Sequence, residues 1–266
     1  MLGKLIKYDL KAASKLFILL HGIYFLICVV SRFFYMDRLN FFRPDEPLVI
    51  SLTLFVCLMT LLISALSIFT WLQIAFRFYQ NLFSKEGYLS WTLPVSGPQH
   101  LWGKIISGYI LMALDIIVIS AGILLLVTGS NVTTAYSVIA DQITQEMGIS
   151  ISSFSAILFA VCLISAVGSV IMIYFSVAVG QLFPSHRVLG AIAAYFITSF
   201  VIQVLSVILM IIFGCFPGYE FYAAQGSTMT DFLSGILTLS IALTLVITVI
   251  QYIATHYIMK KKINLI

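Results

Sequence analysis

Charge is what this chain has least of. Only 9% of its 266 residues are Asp, Glu, Lys or Arg, against roughly a quarter in soluble domains. With 61% hydrophobic residues and a mean hydropathy of +1.11, that deficit excludes an ordinary soluble fold and implies an integral membrane protein. No polar stretch exceeds about a quarter of the ~100 residues that a separate soluble domain usually needs. Cysteine is scarce too. Cys28, Cys57, Cys162 and Cys215 lie in or at the end of apolar runs without a CxxC pair, so neither a metal site nor a disulfide framework is indicated, and all four read as small core thiols. The first apolar run lacks a small-residue cleavage site and is followed by a charged, aromatic loop, so it does not read as a cleaved signal.

Catalytic signatures are missing as well. There is no HExxH, no GxSxG and no pair of carboxylates within the apolar runs. The segment Gly97–Lys104, GPQHLWGK, has five residues between its glycines where a phosphate loop has four. It is followed by Ile105 where magnesium would need Ser or Thr, and it follows no strand. The chain is therefore expected to be no enzyme, to bind no cofactor or metal and to hold no nucleotide itself. Nothing in it suggests a nucleic-acid partner.

What is present is a series of apolar runs of about 20 residues or more. Only helices or closed barrels satisfy the backbone in lipid, and these runs do not alternate as barrel strands would. The expected fold is an all-α integral membrane protein with six spans, about 16–31, 48–76, 104–127, 153–183, 188–215 and 232–257. They form a single transmembrane domain over 16–266. The second and fourth spans approach 30 residues, about 45 Å against ~30 Å of hydrocarbon. The second is expected to project beyond the membrane, carrying Arg77 and Tyr79.

Residues 1–17 read as an amphipathic helix on the membrane surface. Lys4, Lys7, Lys11 and Lys15 fall in one arc, and Leu2, Leu5, Ile6, Ala13, Leu16 and Phe17 spread over the other side. Asp9 falls in the middle of the apolar face. It either caps or pairs locally with a lysine, or reaches a basic partner such as Arg77 or Lys104. Basic residues collect on one side of the six-span topology, Lys4, Lys7, Lys11, Lys15, Arg77, Lys85, Lys104, Arg187 and Lys260–Lys262. By the positive-inside rule both termini are cytoplasmic. The tail lysines also favour anionic head groups.

On the other side, residues 131–152 suggest a short amphipathic helix through Tyr136, Ile139, Ile143 and Met147, and 216–230 places Phe216, Tyr219, Phe221 and Tyr222 in an aromatic belt. Asn131 opens a glycosylation triplet of a kind common by chance. Small residues recur at four-residue spacing, Ser176 with Gly180 and Gly190 with Ala194. Such spacing permits close helix approach, within one chain or across a dimer.

Two features carry functional expectation. Asp115, eleven residues beyond Lys104, lies about 16 Å into its span. An ionisable group at that depth is a candidate proton site, substrate contact or pivot; the alternative is a neutral or hydrogen-bonded Asp tied to a Ser or Gln of a neighbouring helix. His21 and His256, within two turns of their span ends, read as interfacial or packed. The second feature is the polar interval Phe78–Lys104. About 82–92 it forms a short helix, ended by Pro94 and Pro98, whose tip Ser84, Lys85, Glu86, Gly87 and Tyr88 mixes charge, a flexible glycine and an aromatic. Leu89, Trp91 and Leu93 would hold it against the membrane domain.

Three segments together, KLIKYDLKAASK at the start, EGYLSWTLPVS followed by LWGK, and SVAVGQLFPSHR, resemble type-2 ABC transporter permeases. The nearest branch is the small bacterial permeases that export peptides or protect against them. The resemblance covers essentially the whole chain through its six-span layout. It implies that 1–17 is a connecting helix and that Ser84–Tyr88 lies on a coupling helix seated in a groove of a separate ABC ATPase subunit, where ATP and magnesium would be bound. It further implies two permeases, the second a copy or a paralogue, with two ATPases in a bacterial cytoplasmic membrane, and spans two and five lining a central path for peptide or other amphipathic cargo. The loop between spans five and six is shorter here than in the larger members. An ion-coupled transporter or channel using Asp115 is the rival from a different class, and a membrane enzyme a third.

Overall fold

The computed structural model describes residues 2–41, 46–84, 87, 92, 96–214 and 229–261. Seven long helices account for nearly all of them: α1 (Leu2–Phe34), α2 (Glu46–Phe83), α3 (Gly97–Val127), α4 (Ser130–Met147), α5 (Ile151–Gly180), α6 (Arg187–Ile212) and α7 (Met229–Lys261), with a short 3-10 turn at Met36–Arg38. Six of them, all but α4, are long and apolar enough to cross a membrane. Among the described residues no strand occurs.

The helices run up and down. Tyr174, late in α5, donates to the carbonyl of Lys104, early in α3, at 2.9 Å. Trp102 of α3 lies 5.5 Å from Tyr252, late in α7. The start of α1, the end of α2, the start of α3, the end of α5, the start of α6 and the end of α7 therefore share one end of the bundle. That end gathers Lys4, Lys7, Lys11, Lys15, Arg77, Lys104, Arg187, Lys260 and Lys261.

α1 and α3 are parallel and in register along almost their full lengths. Asp9 meets Ser107, His21 meets Asp115, Tyr24 donates to the carbonyl of Ile119 and the Arg32 guanidinium lies over Gly129. The offset stays between 94 and 98 residues. Two apolar cores flank this seam. One, toward the basic end, includes Ala13, Phe17, Phe78, Leu101, Val170 and Tyr174; the other, toward the far end, holds Tyr24, Cys28, Met36, Leu66 and Leu126.

Three expectations change. Residues 1–17 do not form a separate surface helix: they are the first half of α1, which continues unbroken into the span. Their apolar side packs on protein, with Leu2 and Leu5 against Gly103 and Ala13 and Phe17 in the core. α3 begins at Gly97 instead of Lys104, with Pro98 in its first turn and the Ser96 N–H bonded to Gln99 Oε1 at 3.1 Å. This places the glycines of Gly97–Lys104 on a helix, with no loop there to cradle phosphate. Of the three described cysteines, Cys57 and Cys162 are exposed and Cys28 is buried. In a lipid-facing helix the outer face is as apolar as the core, so hydrophobicity does not tell the two apart. Cys215 lies outside the described residues, as does most of 216–230.

The small-residue spacings act within the chain. A Cβ on Gly180 would stand 2.7 Å from Ala191 N, and one on Gly190 3.3 Å from Gly180 Cα. The expected amphipathic helix near 131–152 is α4. It is pinned to α7 where Thr230 Oγ1 donates to the carbonyl of Met147 at 2.7 Å, beside Gly148 at φ +77°. Asn131 is occupied holding the 3-10 turn, donating to the carbonyls of Asp37 and Leu39 at 2.6 and 3.0 Å. α6 is left with no buried residue, an apolar rod resting on α5.

A Cβ on Gly108 would stand 2.6 Å from Tyr174 Oη and 2.9 Å from Val170 Cγ1. Gly108→Val is therefore expected to destabilise the detergent-solubilised protein by roughly 1–3 kcal/mol, read as a lowered thermal midpoint. Gly22→Ala, with nothing within 4 Å of its new Cβ, should leave the midpoint unchanged or slightly raised.

Candidate functional site

Two carboxylates sit on the α1–α3 seam, and α2 supplies partners to both. Its residues Ser67, Thr70, Gln73, Arg77 and Asn81 recur at three- and four-residue spacing, which puts them along one helix face. That face lies against the seam. Gln73 Nε2 donates to the carbonyl of Ala13 at 2.9 Å, binding α2 to α1 between the two acidic sites.

Toward the basic end is Asp9. Its Oδ1 accepts from Lys104 Nζ at 2.8 Å and from Asn81 Nδ2 at 3.1 Å, and its Oδ2 accepts from Ser107 Oγ at 2.6 Å. Arg77 Nη1 donates to the Asp9 backbone carbonyl at 3.1 Å and stands 3.6 Å from Oδ1. Of the two sequence readings of Asp9, reach to Arg77 and Lys104 is the one found, and it reaches both. An acid in the middle of an apolar face makes sense once that face is packed on protein. Two cations and two polar donors then replace the water the carboxylate gives up. A cavity of about 280 Å³ beside the cluster is bounded by Tyr8, Asp9, Arg77, Asn81, His100 and Lys104.

Deeper in the bundle is Asp115, 2% exposed. Its Oδ1 lies 2.7 Å from His21 Nε2 and accepts from Thr70 Oγ1 at 2.9 Å. Its Oδ2 accepts from Ser67 Oγ at 3.3 Å. His21 is 3% exposed and stacked on Phe17, with Nδ1 2.9 Å from the Phe17 carbonyl. That carbonyl is an acceptor only, so Nδ1 carries a hydrogen. The 2.7 Å contact then needs one proton between Nε2 and Oδ1. Imidazolium with carboxylate and imidazole with carboxylic acid are two descriptions of the same pair, and both are neutral as a unit. Without that proton two lone pairs would face each other in an apolar interior, with nothing to offset the buried charge.

Of the two readings of His21, interfacial or packed, the packed one is found, and it is the basic partner of Asp115. The alternative of hydrogen bonding to a neighbouring helix is met through Ser67 and Thr70, with a histidine added. The sequence signal that could have found this is the polar stripe of α2, which demands polar counterparts at the same depth. His256 is half-buried and stacked on Tyr252.

Of the expected coupling-helix residues, Lys85, Glu86 and Tyr88 lie outside the described residues. Ser84 closes on α2 through the Gln80 carbonyl at 2.5 Å, and Gly87 is buried, its N–H donating to the Ser84 carbonyl at 2.8 Å. A Cβ there would meet the Leu82 carbonyl at 2.8 Å. Lys4, Lys7, Lys11 and Lys15 are exposed along α1. Among the described residues no group of three His, Cys, Asp or Glu could hold a metal ion.

Comparison with protein families, with curated proteins and with solved structures finds no significant match.

Breaking the deep pair from one side strands a buried acid. His21→Leu should lower stability by roughly 3–5 kcal/mol, and His21→Leu with Asp115→Leu should recover most of it. A double-mutant cycle on unfolding in detergent measures the coupling. Equal stability of the two variants would show that the pair does not hold the seam.

Proposed function

We propose that this chain is the membrane subunit of an ATP-driven exporter, working as a pair of permeases with separate ABC ATPase chains. The observation that carries the reading is the Asp9 cluster. It joins the start of α1 to the end of α2 and the start of α3, the two helices that flank the polar interval where the resemblance puts the coupling helix. A push on that interval would reach three helices through charged, hydrogen-bonded contacts instead of through a slack loop. α2 supports the same picture. Its 38 residues make about 57 Å of helix against ~30 Å of hydrocarbon, so it extends past the membrane toward the interval.

In this reading the basic end faces the cytoplasm of a bacterial cell, as the positive-inside rule requires. The exposed apolar surfaces of α2 and α6, which touch at Trp71 and Tyr195, face the second permease and the path between the two. Closure of the ATPases on ATP would rock the helices and switch access. Walls with few charges suit peptides or other amphipathic cargo taken from the inner leaflet.

The deep pair favours a second reading, transport coupled to a proton gradient. His21 and Asp115 lie 2.7 Å apart in a buried site where three helices meet, the kind of setting in which proton relays are built. Asp115→Asn separates the two. An amide can donate to Nε2 and keep the packing, but it removes the acidic proton. Under the second reading a proton gradient should drive uptake or efflux in vesicles without any ATPase, and Asp115→Asn should abolish it. Under the first no gradient-driven transport is expected, and ATP-driven transport should survive Asp115→Asn.

The first reading is tested by co-expression with candidate ABC ATPase subunits. Co-purification and peptide-stimulated ATP hydrolysis are expected, and Glu86→Arg with Tyr88→Ala should abolish both. Asp9→Ala should keep association but lower stimulated hydrolysis roughly tenfold or more, the size of an ordinary coupling free energy. Association and turnover left intact by the Glu86 and Tyr88 changes would sink the exporter reading.

A further inference from the structure

On its open side the α1–α3 seam forms a groove of about 500 Å³. Its walls are Ile18, Gly22 and Phe25 of α1 and Leu114, Ile117 and Ala121 of α3. These walls are exposed, Ile18 to 66% and Ile117 to 44%, and Gly22 keeps the floor low because nothing stands within 4 Å of where its Cβ would be. Such a crevice in a membrane protein is filled by lipid. What distinguishes this one is its mouth. Toward the basic end the same face of α1 continues through Ser14 and Lys11 to Lys7, at the three- and four-residue spacing of one helical stripe. Both lysines are exposed, and among the described residues neither takes part in an ion pair.

We propose that this groove binds one anionic phospholipid, its acyl chain between α1 and α3 and its phosphate held by Lys7 and Lys11. The dimensions agree. From Lys11 to Phe25 is about 21 Å along the helix, and one leaflet contributes about 15 Å of hydrocarbon, so a chain anchored at Lys11 fits within the groove. Lysine stems lie along apolar surface while the ammonium reaches the phosphate level, and basic residues at that level draw anionic head groups. Ser14 lies one turn below Lys11, its hydroxyl donating to the Lys11 carbonyl at 2.9 Å. His21 lines the inner wall, so a seated chain adds apolar cover to the buried pair. The site does not depend on what the chain transports.

The test uses the full chain reconstituted in phosphatidylcholine vesicles with a trace of phosphatidylglycerol carrying a photoreactive acyl chain. A parallel preparation carries the same photoreactive chain on phosphatidylcholine. After irradiation, labelled positions are mapped by peptide mass spectrometry. The phosphatidylglycerol probe should label Ile18, Phe25, Leu114 and Ile117 well above Phe196 and Phe200, which are exposed apolar residues of α6, and the phosphatidylcholine probe should not. Lys7→Gln with Lys11→Gln should lower the preference for phosphatidylglycerol about tenfold, while Lys260→Gln with Lys261→Gln leaves it in place. Gly22→Leu, which fills the groove and keeps both lysines, should lower labelling there by either probe. Equal labelling by the two probes, or labelling indifferent to Gly22→Leu, would overturn the site.

Discussion

A carboxylate buried in an apolar bundle must be matched by donors at its own depth, and that requirement fixes how this bundle is assembled. Asp9 and Asp115 both lie on the contact between α1 and α3, and each draws its partners from the other two of the first three membrane helices. Apolar packing between helices in lipid is weakly directional, because lipid tails offer much the same contacts as a neighbouring helix. Polar partners at defined heights are directional. With Asp9 on Lys104 and Ser107, and His21 on Asp115, a slide of one helical turn along the seam, about 5.4 Å, would strand two acids at once. The parallel register of α1 and α3 follows from that penalty.

Much of the fold could be read from the sequence, for a physical reason. Six apolar runs have few solutions in lipid, and their number and order are those of the six helices long and apolar enough to cross a membrane. The glycine and alanine spacing around Gly180 and Gly190 marked close helix approach, and the approach is found within the chain. Less legible was which face of each helix meets protein. The apolar side of residues 1–17 looks the same whether it faces lipid or α3, and Cys57 looks like a core residue although it faces outward. Polar residues break that degeneracy. Asp9, misplaced on an interfacial helix, was the sign that its face is covered, and the stripe Ser67, Thr70, Gln73, Arg77, Asn81 marks the face of α2 that covers it. The pairing of His21 with Asp115 is not legible in one span alone, because the two residues are 94 apart in the chain.

The two acidic sites do different physical work. Asp9, close to the aqueous end and ringed by Arg77, Lys104, Asn81 and Ser107, is a fixed charge compensated by fixed charges, which suits a mechanical joint. The His21–Asp115 pair is neutral as a unit and holds its proton between two groups that can each carry it. The hydrogen bonds it accepts from Thr70 and Ser67 tie α2 to the pair. Two polar clusters at different depths of one seam are compatible with either driving force, and the deep pair can be structural in an ATP-driven machine.

The same reasoning locates where the molecule can move. Through α2, the Asp9 and Asp115 clusters lock α1, α2 and α3 into one body, and relative motion inside it means exposing acids to hydrocarbon. The boundary with α5, α6 and α7 is different. There the contacts among the described residues include Tyr174 stacked on Phe78, the Gly108 notch that receives Tyr174, Trp102 beside Tyr252 and the edge of Trp71 on Tyr195. Apart from the hydrogen bond of Tyr174 to the Lys104 carbonyl, these are aromatic and small-residue surfaces that can slide or rock at little electrostatic cost. A force entering near Asp9 would therefore turn the first three helices together against the last three. The surface that opens would be the one where α2 meets α6.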